Sequence, residues 1–174
     1  DVIRSQLSLL DALGIDCLHA AIGGSLGGML SILLATRCPH RVRNVLPIAT
    51  GLETTVLHRV HNFEQILAIR NDPKFQGGDY YEGMPPKDGL LLARIISHKT
   101  FVSLAVMEKR ARQEITVKQP IDQFYKLSNP IESYMFHQGK KFAERFDANS
   151  YLRIMDMWQR FNLNAQQPDL FANC

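Results

Sequence analysis

Apolar residues at positions 2, 3, 7, 9, 10 and 13 recur close to a helical period and predict a first helix over residues 2–13. Asp1 is placed to cap its start and Gly14 its end. The pattern then changes to a short apolar run at 17–22, which reads as a buried strand. A second helix is expected from 26 to about 36. It carries Met29, Leu30, Ile32, Leu33 and Leu34, and Pro39 forbids its continuation. Residues 44–49 form a second strand pattern, whose Pro47 argues for an irregular or partly edge-like position. Helix, strand, helix and strand joined by short loops make half of a parallel α/β sheet.

Beyond Gly51 the strand pattern stops. Residues 53–71 read as a helix whose apolar face is Val56, Leu57, Val60, Phe63, Ile66, Leu67 and Ile69. Residues 71–89 are punctuated by Pro73, Gly77, Gly78, Gly83, Pro85 and Pro86 and predict a long loop. Phe75, Tyr80 and Tyr81 give that loop surface to bury, so an ordered loop is expected. A helix starting at 90–96 continues or kinks through 102–112, and 113–128 is polar without a clear period. Asn129-Pro130-Ile131-Glu132 is a helix start: a capping Asn, Pro at the first position and Glu at the third. That helix should reach about 146, and Asp147 then caps another over about 148–161. The expected organisation is therefore a partial α/β core over 1–52, a helical lid over 53–161, and the start of a return to the core over 162–174. The chain opens at Asp1 without a methionine, closes at Cys174 without a final element, and shows two convincing core strands. It reads as the middle of a longer protein.

The joint between the first strand and the second helix carries the candidate chemistry. Residues 22–28 are I-G-G-S-L-G-G, a serine between glycines where a strand pattern gives way to a helical one. This is the signature of a nucleophile elbow, the tight turn that presents a catalytic serine. Gly24, just before Ser25, and Gly27, two after it, are taken as the glycines that the turn requires, because a Cβ there would clash. Composition removes other classes of function. The chain has 174 residues, 45% hydrophobic and 21% charged, with a formal charge of +3. No basic run supports nucleic-acid binding. The apolar stretches fall far short of the ~20 residues a membrane span needs. Cys17, Cys38 and Cys174 lack metal-ligand spacing, so no metal site is expected and a reduced, cytoplasmic setting is the default.

None of the six histidines (19, 40, 58, 61, 98 and 137) falls where the fold would bring a general base to the serine. His19 is expected to be a packed strand residue. Arg94 stands out as the single charge in L-L-L-A-R-I-I at 90–96. On the residues alone, one reading is an arginine with a buried stem and a solvated head. The other is an anion site in an apolar pocket, since the planar guanidinium matches a carboxylate in bidentate geometry.

Several segments resemble one family. They are I-G-G-S-L-G-G at 22–28, G-G-D-Y-Y at 77–81, G-L-L-L-A-R at 89–94, Ser133-Tyr134 followed by Q-G-K-K-F at 138–142, and F-A-E-R-F-D-A-N-S-Y at 142–151. In order and spacing they are similar to homoserine O-acetyltransferase, an α/β-hydrolase-fold acyltransferase of methionine biosynthesis. The resemblance implies a ping-pong reaction in which Ser25 takes an acyl group from acyl-coenzyme A and passes it to the hydroxyl of homoserine. It places one oxyanion-hole donor on the backbone N–H of Leu26. It gives Arg94 the amino-acid carboxylate. It also implies a homodimer through the lid, small-molecule substrates and no bound cofactor, acyl-coenzyme A being a co-substrate. The family's acid and histidine follow the lid, in a position beyond Cys174, so the segment alone is expected to be inactive. One departure is Phe101, where well-known acetyltransferases of the family carry a tyrosine seven residues after the arginine. That loss of a hydroxyl leaves open an O-succinyltransferase acting on serine or homoserine. An esterase or thioesterase of the same fold, and a non-catalytic dimerising fragment, are the readings from other classes.

Overall fold

The computed structural model describes residues 2–111, 121 and 125–163. They divide into two compact units, one made of Asp1–Thr54 with Arg160–Cys174 and the other of Thr55–Gln159. The cap expected from Asp1, the polar stretch at 112–120 and 122–124, and the segment 164–174 lie outside the described residues.

The first unit is a β–α–β element with one helix before it. Helix α1 spans Val2–Ala12. It ends as its sequence predicts, on Gly14 at φ 68°. Gly14 N–H donates to Asp11 O at 3.0 Å and Ile15 N–H to Leu10 O at 2.9 Å, the paired closure of a Schellman motif. Strand β1 is Ala21–Gly24, helix α2 is Leu26–Arg37 and strand β2 is Val45–Ile48. The strands pair in parallel, Ala21 opposite Val45 through Gly24 opposite Ile48, with α2 as the crossover such a pair demands. Ile3, Leu34 and Val42 form the buried centre, with Leu7, Leu18, Leu30 and Val45 packed around it.

The first strand lies later than the apolar run suggested. Leu18 makes a single parallel bridge to Val42, and the ladder resumes only at Ala21. Between them the Asn44 side chain donates to His19 O at 2.8 Å, which holds this stretch out of the ladder and leaves His19 exposed rather than packed. Gly23 and Gly24, poor strand formers by propensity, complete β1 because the turn that follows needs them. Among the described residues β2 has a neighbour on one side only, which accommodates Pro47 without a lost ladder bond there.

The second unit is helical. Its elements are α3 (Val56–Arg70), α4 (Lys87–Phe101), α5 (Leu104–Ala111), α6 (Pro130–Ala143) and α7 (Ala148–Gln159). The kink allowed for in the sequence is real: α4 and α5 are separate helices whose axes turn by 119° across Val102 and Ser103. Helix α6 opens with the predicted capping box. Asn129 Oδ1 accepts from Ile131 N–H at 2.9 Å, and Glu132 Oε2 accepts from Asn129 N–H at 3.3 Å. Among the described residues no single helix is long and apolar enough to cross a membrane.

The expected face of α3 is corrected. Val56, Leu57, Val60, Phe63 and Leu67 are exposed, Ile66 is half-buried, and of the seven only Ile69 is buried. Polar Asn62 and Gln65 turn inward instead, and both are satisfied. Asn62 Nδ2 donates to Gln159 Oε1 at 3.2 Å, Gln65 Nε2 donates to His61 O at 2.8 Å, and Tyr151 Oη donates to Gln65 Oε1. A buried amide with all its partners costs little, so a helix can reverse the face that hydropathy assigns it.

The loop between α3 and α4 is ordered, as expected, although Tyr81 is exposed. Phe75 and Tyr80 are buried in the core of this unit with Leu90, Phe142, Tyr151 and Met155. Tyr80 Oη donates to Asp147 Oδ1 at 2.5 Å and accepts from Asn149 N–H at 3.0 Å. Asn149 Nδ2 donates to Gly78 O at 2.8 Å. Asp147 Oδ2 accepts from Ser150 N–H at 2.7 Å, the predicted cap of α7. Burial works to raise the Asp147 pKa, but donation from Tyr80 and Ser150 outweighs it and holds the carboxyl below its usual value. The G-G-D-Y-Y and R-F-D-A-N-S-Y segments thus meet as one clasp that fixes the long loop to the start of α7.

Candidate active site

Ser25 occupies the single residue between β1 and α2. Its φ of 52° and ψ of −119° lie in a region that a residue with a Cβ rarely adopts. Such a conformation costs on the order of 1–3 kcal/mol and persists only where the surroundings over-determine it. Here Ser25 N–H donates to Ile48 O at 2.8 Å, continuing the β1–β2 ladder, while Ser25 O accepts from Met29 N–H at 3.1 Å and starts the helix. The residue is pinned to a strand on one side and a helix on the other. Its hydroxyl makes no capping hydrogen bond to the helix and is exposed. Leu26 is the first residue of α2, so its N–H has no carbonyl of its own helix to bond. An oxygen held near Ser25 Oγ would meet that free donor and the positive end of the helix dipole.

The glycines that shape the turn are a different pair from the one expected. A Cβ on Gly24 or Gly27 would meet nothing within 4 Å among the described residues. A Cβ on Gly23 would lie 2.2 Å from Gly27 C and O, and one on Gly28 would lie 2.6 Å from Thr50 Cγ2 and 2.9 Å from Gly23 O. Gly23, two residues before the serine, is by count the first glycine of the G-x-S-x-G pattern, with Gly27 the second. It lets the first turn of α2 press directly on β1, and Gly28 completes that contact from the helix side. A cavity of about 730 Å³ in this unit is lined by Cys17, Ile32, Ala35, Pro39, Val42 and Pro47 among others, and Ser25 is not part of it.

Arg94 belongs to the helical unit. Its guanidinium carbon sits 4.8 Å from the centre of the Phe101 ring and 5.0 Å from that of Phe142. Its Nε is buried and makes no hydrogen bond, and among the described residues no carboxylate pairs with it. Burial pushes its pKa down, with Arg145 acting in the same direction and Tyr151 and Tyr134 opposing. An arginine stays charged under such pressure. The guanidinium thus lies against two rings with a buried donor unused. The fully solvated head of a snorkelling arginine does not fit these contacts.

His98, one turn after Arg94 on α4, was not distinguished by its sequence from the other helical histidines. It is buried, with Nε2 3.0 Å from Tyr134 Oη, and Arg110 Nη1 donates to the same Oη at 2.5 Å. The i, i+4 spacing from Arg94 was the available signal. Among the described residues no group of three or more His, Cys, Asp or Glu side chains could hold a metal ion.

A parallel β–α–β element with a strained serine at its strand-to-helix turn is the geometry shared with a known fold, and a model of the alpha/beta hydrolase fold matches residues 1–166. The chain belongs to the alpha/beta hydrolase fold family. It is 37% identical over 168 residues to a homoserine O-acetyltransferase of Solidesulfovibrio magneticus, covering 95% of this chain and 42% of that protein. It is 37% identical over 178 residues to a homoserine O-succinyltransferase of Pseudomonas syringae, covering 99% of this chain and 47% of that protein. Among solved structures, homoserine O-acetyltransferase from Bacillus anthracis superposes with a TM-score of 0.81 at 27% identity, over 92% of this chain and 43% of that one. Esterase E22 superposes with a TM-score of 0.81 at 21% identity over 95% of this chain and 45% of that one, a likeness of fold. The chain thus spans less than half the length of these alpha/beta hydrolase relatives.

Proposed function

We propose that this chain carries the nucleophile and the acceptor-binding lid of a homoserine O-acyltransferase. Ser25 Oγ attacks the thioester carbonyl of acyl-coenzyme A, the C–S bond breaks, and coenzyme A leaves as the thiol. The hydroxyl of L-homoserine then attacks the Ser25 ester, forming the O-acyl product and restoring the serine. Leu26 N–H stabilises the oxyanion in both steps. The general base and its acid come from the rest of the full-length protein, and no bound cofactor takes part. The observation that carries this reading over a plain esterase is Arg94, a charge with no carboxylate partner among the described residues, held between Phe101 and Phe142. Water needs no such group, whereas an amino-acid acceptor brings a carboxylate.

The test separates the two half-reactions in the full-length protein. Arg94→Lys keeps the charge and removes the planar fork, so the acceptor KM should rise about ten- to a hundredfold. The burst of Ser25 acylation measured without acceptor should stay within about twofold. An equal loss in both half-reactions would make Arg94 a structural residue.

The acyl group is the finer question. We favour acetyl, and the succinyl alternative rests on Phe101, which removes a hydroxyl beside Arg94. The enzyme is further proposed to work in the cytoplasm as a homodimer through its lid. Helix α3 and the start of α5 support the dimer, since Val56, Leu57, Val60, Phe63 and Leu104 are exposed on the helical unit. Sedimentation of the full-length protein at micromolar concentration should give a dimer, and a monomer would dismiss this assembly.

A further inference from the structure

Arg94 is held by stacking, and stacking requires that Phe101 stay in place. Phe101 is the last residue of α4, directly before the 119° turn into α5, and it is exposed. A chain terminus of a helix beside a sharp bend frays unless something ties it. The tie is visible. The Phe101 ring meets the His98 ring at 5.1 Å and 90°, an edge-to-face contact. His98 Nε2 lies 3.0 Å from Tyr134 Oη on α6, and Tyr134 Oη accepts from Arg110 Nη1 of α5 at 2.5 Å. Arg110 also lies over the Tyr134 ring at 5.3 Å. Tyr134 therefore joins the helix before the bend to the helix after it.

One direction in this chain follows from what the groups can do. A guanidinium only donates, so Tyr134 Oη spends a lone pair on Arg110 and has its hydrogen to give. It shares its other hydrogen bond with His98 Nε2, while the buried His98 Nδ1 has no hydrogen-bond partner among the described residues. Burial, then the charges of Arg94 and Arg110, push the His98 pKa down and agree with a neutral ring. A neutral ring is needed here, because a third cation would repel Arg94 and loosen the stack.

We propose that His98, Tyr134 and Arg110 are positioning residues for Arg94: their contacts fix the α4–α5 corner, hold Phe101 over the guanidinium, and so set its affinity for a carboxylate. None of the three touches the ligand in this scheme. The proposal rests on the reading of Arg94 as the acceptor's carboxylate site.

Tyr134→Phe in the full-length protein deletes the shared oxygen and keeps the ring. The acceptor KM should rise about three- to tenfold while the acylation burst is unchanged. His98→Gln can place its amide near the Nε2 position and keep a hydrogen bond to Tyr134, so it should stay near wild type. His98→Leu should match Tyr134→Phe. Imidazole 15N shifts of the wild-type protein should report a neutral ring. A thermal melt of each variant shows whether it is folded. If Arg94→Lys raises the acceptor KM and folded Tyr134→Phe and His98→Leu do not, the positioning chain is wrong and the carboxylate site stands. If Arg94→Lys itself leaves that KM alone, the carboxylate site falls and the proposal falls with it. A folded His98→Gln variant as impaired as His98→Leu, or a charged ring, overturns the hydrogen-bonded link from His98 to Tyr134.

Discussion

Replacing Ser25 by alanine in the full-length protein is expected to lower turnover by roughly a thousandfold or more, with the fold unchanged. The structural grounds are the strained backbone at φ 52° and the exposed, uncapped hydroxyl at the start of α2. Strain of this kind is retained where it presents a side chain, and here the side chain presented is the one nucleophile of the turn. A thousandfold corresponds to about 4 kcal/mol of transition-state stabilisation. Alanine tolerates the same backbone no worse than serine, so the unfolding midpoint should move little. Mass spectrometry after mixing with acyl-coenzyme A alone should find the added acyl mass on the peptide containing Ser25 in the wild type and nowhere in the variant. An alanine variant that still transfers near the wild-type rate, or an adduct on another residue, would remove Ser25 from the mechanism.

How much of this could be read from the chain differs between the two units. Caps and turns depend on a few adjacent residues, and these were legible: Gly14 at the end of α1 and the Asn129 capping box, whereas the sequence left open whether the helix continues or kinks at Val102. So was the elbow, because a serine among glycines between a strand and a helix has few other uses. What misled was the assumption that apolar residues face inward. On α3 the helix turns its stripe outward and buries Asn62 and Gln65, an outcome decided by partners almost a hundred residues away, Gln159 and Tyr151. The same limit applies to Arg94. Arg94 was recognisable as a lone charge, but its stacking on Phe142 and the link from His98 through Tyr134 to Arg110 join α4, α5 and α6. No local window contains those contacts. Counting back from Ser25 already puts the first glycine of the G-x-S-x-G pattern at Gly23 rather than Gly24, but which glycines are in close contact needs the structure. The ones that matter are set by which backbone atoms lie opposite, and Gly23 faces the carbonyl of Gly27 across the turn.

Gly23→Ala should therefore be the most damaging single-methyl addition in the turn. The new Cβ would sit 2.2 Å from Gly27 C and O and 2.6 Å from Gly28 N. All three are backbone atoms of the first turn of α2, and no side-chain rotation can relieve them. The helix must lift from β1, which breaks the contact that fixes Ser25 between strand and helix. Overpacking against backbone is expected to cost about 3 kcal/mol or more. Displacement of Ser25 should reduce acylation in whatever fraction still folds. Gly24→Ala and Gly27→Ala are the controls, since a Cβ at either meets nothing within 4 Å among the described residues. Gly27 lies inside α2, where alanine is the better helix former by about 1 kcal/mol, so its substitution should leave stability equal or raised. Urea unfolding of the three variants in the full-length protein checks the order. If Gly23→Ala unfolds with the wild type while Gly24→Ala or Gly27→Ala collapses, the turn is built on the pair that the sequence first suggested, and the close approach of α2 to β1 is not what holds Ser25 in place.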